Sequence, residues 1–71
     1  MSHEIHAEIV ANVMSVMVAE GQPVAEGDTV VILESMKMEI PVLAEYGGTL
    51  TKIAVKEGDV VQEHDLIAVV E

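Results

Sequence analysis

Residues 18–28, Val-Ala-Glu-Gly-Gln-Pro-Val-Ala-Glu-Gly-Asp, are similar in sequence to residues 55–65, Val-Lys-Glu-Gly-Asp-Val-Val-Gln-Glu-His-Asp, which lie 37 positions later. At this offset residues 7–34 align with residues 44–71, and nine of the 28 aligned pairs are identical. A rival offset of 31 superposes two Glu-Gly-Asp triplets but fails on both sides of them. A fixed period of this kind indicates two copies of one supersecondary unit. We therefore expect a pseudo-two-fold symmetric β domain whose halves are joined through residues 35–43.

Each half has the pattern of strand, turn, short strand, turn and strand. In the first half, apolar runs at 13–18 and 30–33 lie on either side of Val24. Glycine, proline and acidic residues between these runs are typical of turns. The second half repeats the pattern with apolar runs at 50–55 and 66–70. Short runs rich in Val and Ile at this spacing predict an all-β sandwich or barrel.

The composition limits the domain count and the classes of partner. A chain of 71 residues is one small domain, residues 1–71. Three lysines and no arginine face thirteen acidic residues, which gives a net charge of -10. This charge argues against nucleic acids and anionic membranes as partners and favours a soluble monomer. No apolar run approaches the roughly 18 residues of a membrane span, and the first residues lack the features of a secretory signal, so we expect a cytoplasmic protein.

The segment between the repeats departs from the rules that stabilise a hairpin. Residues 34–39, Glu-Ser-Met-Lys-Met-Glu, join two apolar runs, so we expect a hairpin with Met36 and Lys37 at its tip. Such tips usually carry pairs such as Asn-Gly or Asp-Gly. In this register Glu34 lies across from Glu39, and like charges in that position destabilise a sheet by roughly 0.2–1 kcal/mol. A segment that breaks several local rules is a candidate functional site.

One lysine stands apart from the other two. Lys52 and Lys56 align with Ser15 and Ala19 in the repeat, where a solvated strand face accounts for them, whereas Lys37 has no counterpart. A lysine at a hairpin tip projects from the body of the domain and can enter the active site of another enzyme. An ordinary lysine amine is protonated at neutral pH and is a poor nucleophile. Because no base is evident beside it, we expect the domain to be a ligase substrate and not an enzyme.

The remaining polar residues do not form a recognised catalytic or metal-binding pattern. The serines lack the Gly-x-Ser-x-Gly context of a nucleophile, and no glycine-rich phosphate loop is present. His3 and His6 stand three positions apart without a third ligand or any cysteine, so we expect no metal site. His64 aligns with Gly27, and histidine is one of the non-glycine residues better tolerated at positive φ.

Residues 34–39 resemble the attachment hairpin of biotinyl domains, whose pattern is Glu-Ala-Met-Lys-Met with biotin on the lysine. The resemblance covers nearly the whole chain and implies a flattened β-barrel or sandwich of two four-stranded sheets, with the attachment lysine opposite the termini. It implies that a biotin protein ligase attaches biotin covalently to Lys37, which then carries carboxyl groups between biotin carboxylase and carboxyltransferase subunits. The residues that would contact the ligase or partner enzymes are Glu34, Ser35, Met36, Met38 and Glu39.

Two departures from the biotinyl pattern leave alternatives open. Ser35 stands where biotinyl domains usually have Ala, and the related lipoyl domains carry patterns such as Glu-Ser-Asp-Lys-Ala. The resemblance therefore allows lipoate, attached by a lipoyl ligase, or both cofactors on Lys37. Residues 8–11, Glu-Ile-Val-Ala, replace the family's Pro-Met-Pro-Gly, so the backbone path there is not predicted. A hypothesis from another class is an unmodified interaction domain that binds through its acidic surface.

Overall fold

A computed structural model describes residues 2–71, and Met1 lies outside the described residues. Eight β-strands form within this part of the chain. They are β1 (His3–His6), β2 (Ala11–Val16), β3 (Pro23–Val24), β4 (Thr29–Ser35), β5 (Met38–Leu43), β6 (Gly48–Ile53), β7 (Val60–Val61) and β8 (Leu66–Val70). The described strands form two four-stranded antiparallel sheets, ordered β1-β8-β6-β3 and β5-β4-β2-β7. The predicted all-β sandwich is confirmed. The described residues contain no helix with the length and apolarity needed to cross a membrane.

The offset of 37 residues relates the strands as well as the sequence. Adding 37 to the bounds of β2 and β3 gives the bounds of β6 and β7. The same shift carries β1 onto part of β5 and the first five residues of β4 onto β8, and it exchanges the two sheets. Each sheet therefore contains two strands from each half of the chain.

Two predicted strands begin two residues earlier than their apolar runs suggest. The runs at 13–18 and 50–55 predict strands there, but β2 covers Ala11–Val16 and β6 covers Gly48–Ile53. The physical reason is strand pairing, because the first two residues of β2 pair with β7 and the first two residues of β6 pair with β3. The valines that end the two runs lie beyond the strands and pack, partly buried, against the core. The edge strand β1 has no apolar run to predict it.

The core follows the repeat closely. Among residues 2–71 the buried apolar side chains are Ala7, Ala11, Val13, Val24, Val30, Val31, Leu33, Ala44, Leu50, Val61, Ile67, Ala68 and Val70. Twelve of these described residues form six pairs related by the 37-residue offset. The remaining one, Ala11, has Gly48 as its counterpart. A β-carbon at Gly48 would overlap the carbonyl oxygen of Glu71 and lie 3.1 Å from a methyl group of Val70, so the second half has no room for alanine.

The turns that close the halves use the same hydrogen bonds. The Asp28 carboxylate accepts a bond from the backbone amide three residues earlier at 2.8 Å, and the Asp65 carboxylate does the same at 2.8 Å. The residues before them, Gly27 and His64, have φ of 92° and 76°. The positive φ predicted for His64 is confirmed.

Each of these turns is also hydrogen-bonded to the opposite half. Ala7 donates its backbone N–H to the Asp65 carbonyl at 2.8 Å, and its own carbonyl accepts the N–H of His64 at 2.7 Å. Ala44 makes the equivalent pair of bonds with the turn of the first half, both at 2.8 Å. Both alanines are buried, so these four bonds satisfy backbone groups that water cannot reach.

The β4–β5 hairpin separates the Met36–Lys37 turn from the chain ends. The loop that follows β5 carries Tyr46, whose ring stacks on His3 with 3.8 Å between centroids. The same loop leads into β6, whose Thr49 exchanges two backbone hydrogen bonds with Glu71 at 2.7 and 2.8 Å. A strand of the length of β5 spans roughly 20 Å. Lys37 is therefore separated from His3 and Glu71 by the length of the hairpin.

Gly48→Ala is expected to destabilise the domain by about 1–3 kcal/mol, because the added methyl group must displace backbone at Glu71. Gly47→Ala is the matched control, since a β-carbon there would meet its nearest atom at an ordinary 3.5 Å. Urea denaturation followed by circular dichroism measures both. Equal stability of the two variants would contradict the steric account.

Candidate functional site

The turn between β4 and β5 consists of Met36 and Lys37 alone. The strands pair up to that point, with Ser35 opposite Met38 and Glu34 opposite Glu39, as the sequence predicts. Met36 has φ of 53° and Lys37 has φ of 66°. Positive φ at both central residues is the requirement of a type I′ hairpin turn, which matches the twist of the flanking strands.

This turn conformation is costly for the residues that adopt it. A side chain in the left-handed region costs roughly 1–2 kcal/mol, and neither Met36 nor Lys37 is one of the residues that enter this region easily. Asn or Gly would form the same turn with less strain. Non-glycine residues held in this region cluster at functional sites, where the surrounding structure maintains them. The hairpin tip is therefore a candidate site on conformational grounds alone.

The side chains of the tip point into solvent. Met36 is 88% exposed and Met38 is 59% exposed. Lys37 is exposed, and within residues 2–71 its amine forms no ion pair. An exposed amine between two exposed thioether side chains is accessible to the active site of another protein. Methionine suits such a surface because its side chain is flexible and polarizable.

Two carboxylates lie beside one another at the base of the turn. Glu34 and Glu39 are directly opposite and both are exposed. Among the described residues neither forms an ion pair with a basic side chain. The pair offers a local negative charge to a basic group on a partner protein.

Ser35 connects the hairpin to a segment that the sequence did not place. Its hydroxyl donates a hydrogen bond to the carbonyl of Val10 at 3.2 Å. Asn12 pairs with Glu34 on one side and with Val60 on the other, so these residues also lie next to the turn. Val10, Asn12 and Val60 are not among the site residues predicted from the sequence, because only long-range contacts bring them beside the turn. No local motif marks them.

The histidines have partners within the chain. Nδ1 of His6 lies 2.9 Å from the carbonyl oxygen of His64, and Nε2 lies 2.9 Å from Oε1 of Glu4. Both partners are acceptors, so the protonated ring donates to both at once. The His64 carbonyl, followed by the Glu4 carboxylate, raises the pKa of His6 above its ordinary value. In residues 2–71 no group of three or more His, Cys, Asp or Glu side chains forms a candidate metal site.

Comparison with known proteins agrees with this architecture. The Biotin_lipoyl family model, described as biotin-requiring enzyme, matches residues 3–70.

The chain belongs to the biotin/lipoyl attachment family.

Relatives of this attachment domain include short proteins and parts of large enzymes. It is 54% identical over 70 residues to the biotinylated protein TB7.3 homolog of Mycobacterium leprae, covering 99% of each chain. It is 40% identical over 63 residues to the biotin/lipoyl attachment protein of Bacillus subtilis, covering 89% of this chain and 86% of that one. Urea carboxylase from Kluyveromyces lactis contains a similar structure, with a TM-score of 0.94 and 35% identity. The match covers all of the attachment domain but only 6% of the urea carboxylase chain.

Lys37→Gly is expected to stabilise the attachment domain by up to about 1 kcal/mol, because glycine adopts positive φ without strain. Lys52→Gly is the matched control, since it removes the same side chain from an exposed position within β6 and should destabilise by roughly 0.5–1 kcal/mol. Thermal denaturation of the unmodified variants compares them. A loss of stability in Lys37→Gly similar to that in Lys52→Gly would show that the turn is not strained.

His6 is expected to titrate at a higher pH in the folded attachment domain than in the urea-unfolded chain. A raised folded-state pKa means that protonated His6 stabilises the fold below the unfolded pKa, and that this contribution disappears as the pH rises through the folded pKa. NMR titration measures both pKa values, and Glu4→Gln should lower the folded one. The stability difference between wild type and His6→Gln should shrink toward alkaline pH. Identical pKa values in the two states would refute this account.

Proposed function

We propose that Lys37 is the residue to which biotin is covalently attached, and that the domain is a biotin carrier in a carboxylase system. The observation that carries the proposal is an exposed lysine, without an ion pair in the described residues, held in a left-handed two-residue turn. A merely solubilising lysine has no need of that conformation. The exposed position of Lys37 in the turn leaves its amine accessible to an approaching enzyme.

Attachment is a substitution at an activated acyl carbon. The Lys37 ammonium group would first lose one proton, and the free amine would then attack the carboxyl carbon of an activated biotinyl group. An amide bond would form, the activating group would leave, and the nitrogen would lose a second proton. The side chain would change from charge +1 to neutral, so the product would be one unit more negative than the unmodified chain, whose net charge is -10. Glu34 and Glu39 lie near the turn, but neither forms an ion pair with the Lys37 amine in the described residues. The base and the activated donor therefore belong to the ligase.

The proposed role after attachment is transport and not catalysis. The domain would carry a carboxyl group on biotin from a biotin carboxylase subunit to a carboxyltransferase subunit. Two comparisons support this role: one relative is named a biotinylated protein, and the structural match lies within a urea carboxylase. Placing Lys37 at the far end of the hairpin from His3 and Glu71 leaves it free to enter two different active sites.

Lipoate is the second candidate, and Ser35 is the observation that favours it. The Bacillus subtilis relative is named a biotin/lipoyl attachment protein, which also keeps both cofactors under consideration. The hydrogen bond from Ser35 to Val10 gives this serine a structural role that is independent of the cofactor. Met36 and Met38, which flank Lys37, follow the biotinyl pattern. We therefore favour biotin.

An unmodified acidic interaction domain is the candidate from another class. It would account for the net charge of -10. It would not account for two non-glycine residues at positive φ in an exposed turn. We therefore favour a modified lysine.

Co-expression with a biotin protein ligase and a lipoyl ligase, with biotin and lipoate both supplied, is expected to add the mass of one biotinyl group. Tandem mass spectrometry of the digested protein should map it to Lys37. Lys37→Arg should abolish the addition while preserving the charge. Lys52→Arg and Lys56→Arg are matched controls that should be labelled like wild type.

Each alternative has its own outcome in this experiment. Addition of lipoate alone would replace the biotin proposal with a lipoyl carrier. A protein that stays unmodified in the presence of both ligases would favour the interaction domain. Label that persists in Lys37→Arg would move the site elsewhere.

A further inference from the structure

The internal symmetry provides a control for each surface residue that has a counterpart in the other half, because the fold imposes the same structural requirements on both halves. The outer face of the sheet that contains the hairpin can therefore be compared with the outer face of the other sheet. We define the Met14 face as the outward apolar residues of the hairpin sheet. They are Met14, Met17, Ile32, Pro41 and Val60.

One difference between the two faces is at a β-bulge. Met14 is the extra residue where the register of β2 against β4 shifts, and Thr51 is the extra residue where β6 shifts against β8. The Thr51 hydroxyl lies 3.3 Å from the Val69 carbonyl and 3.3 Å from the Glu71 carboxylate. Met14 is 42% exposed. The fold accepts a polar residue at this bulge, so the exposed methionine is not a structural requirement.

Two other positions on the Met14 face also carry a larger or more apolar residue than their counterparts, whereas Ile32 and Val60 have apolar counterparts, Val69 and Pro23. Met17 is 53% exposed, and its counterpart in the other half is the smaller Ala54. Pro41 corresponds to Glu4, so a charge on one face is replaced by an apolar ring on the other. The hydroxyl of Ser15 bonds to the Met17 sulfur at 3.5 Å, which holds that side chain on the face.

The Met14 face borders the row of polar residues at the base of the attachment turn. Val60 is 61% exposed and pairs with Asn12, which in turn pairs with Glu34 two residues before the turn. The apolar surface therefore reaches the base of the hairpin tip, with Glu34 and Glu39 along its border. Exposed apolar area rimmed by charged residues is characteristic of interaction sites.

We propose that the Met14 face is the docking surface for the ligase that acylates Lys37, an inference that rests on the proposed function. A ligase must bring its acyl donor into bonding distance of the amine, and four methylene groups are all that separate the amine from the Lys37 backbone. The ligase surface must therefore contact the hairpin and the face beside it. The enzymes that use the attached group reach it through a longer arm and do not require this contact.

The charges at the border specify the chemistry of that ligase surface. The domain has a net charge of -10, and Glu34 and Glu39 lie between the Met14 face and Lys37. A complementary surface has an apolar patch for the two methionines and basic side chains opposite the two carboxylates. Complementary charge of this kind raises the rate of encounter and fixes the orientation of docking.

The test replaces two residues by their counterparts in the other half, Met14→Thr together with Met17→Ala. Initial rates of biotin transfer by a biotin protein ligase, with ATP and biotin saturating, are measured against the concentration of unmodified domain. We expect KM for the domain to rise at least about five-fold while kcat stays within about two-fold. Val60→Thr, which keeps the β-branched shape, should raise KM in the same way. Tyr46→Ala, an exposed ring on the loop at the far end of the hairpin, is the control and should leave KM unchanged.

Circular dichroism and thermal denaturation confirm that each variant is folded before its kinetics are compared. Unchanged KM in folded Met14→Thr/Met17→Ala and Val60→Thr would overturn the proposal. It would also be overturned if only the KM of a biotin carboxylase for the biotinylated domain rose, since the face would then belong to that partner. Failure of the proposed function has a different signature, because the wild-type domain itself would then take up no biotin.

Discussion

The structure depends on backbone pairing between the two halves of the chain. Each sheet takes two strands from each half, and the buried Ala7 and Ala44 hydrogen-bond to the turn of the opposite half. A single half would leave those backbone groups and one apolar face exposed. Because a domain of this size buries only about 60% of its unfolded surface and this chain has no cysteine, the exchange between halves provides stability that no crosslink supplies.

This symmetry separates what the fold requires from what function requires. Residues required by the fold occur twice, as the six described core pairs and the paired aspartate turns show. A residue that has no matching residue in the other half is not explained by what the fold requires of both halves. Lys37 lies at the junction of the halves and has no counterpart, and Met14 differs from Thr51 at an equivalent bulge. In a fold built from two similar halves, the positions at which the halves differ are therefore the most informative about function.

The sequence predicted those features that local chemistry determines. Apolar runs predicted the last strand of each half, turn residues predicted positive φ at His64, and the motif predicted the register of Glu34 opposite Glu39. It did not predict β1, whose four residues include two histidines and a glutamate, because pairing with β8 makes that segment a strand. The contact of Ser35 with Val10 joins residues 25 positions apart and has no local signal. The identity of the partner proteins and the choice of cofactor are not determined by contacts within the chain.

The location of the strained turn also follows from the symmetry. Met36 and Lys37 at positive φ, together with Glu34 opposite Glu39, each oppose folding by an amount on the order of 1 kcal/mol. Backbone strain within one of the repeated strands would weaken pairing on which both halves depend. At the junction the strain is confined to the end of the hairpin formed by β4 and β5. Six paired positions along these two strands hold the strained turn in place. A lysine can therefore be presented in an unfavourable conformation without loosening the core, because the pairing that resists the strain begins immediately beside it.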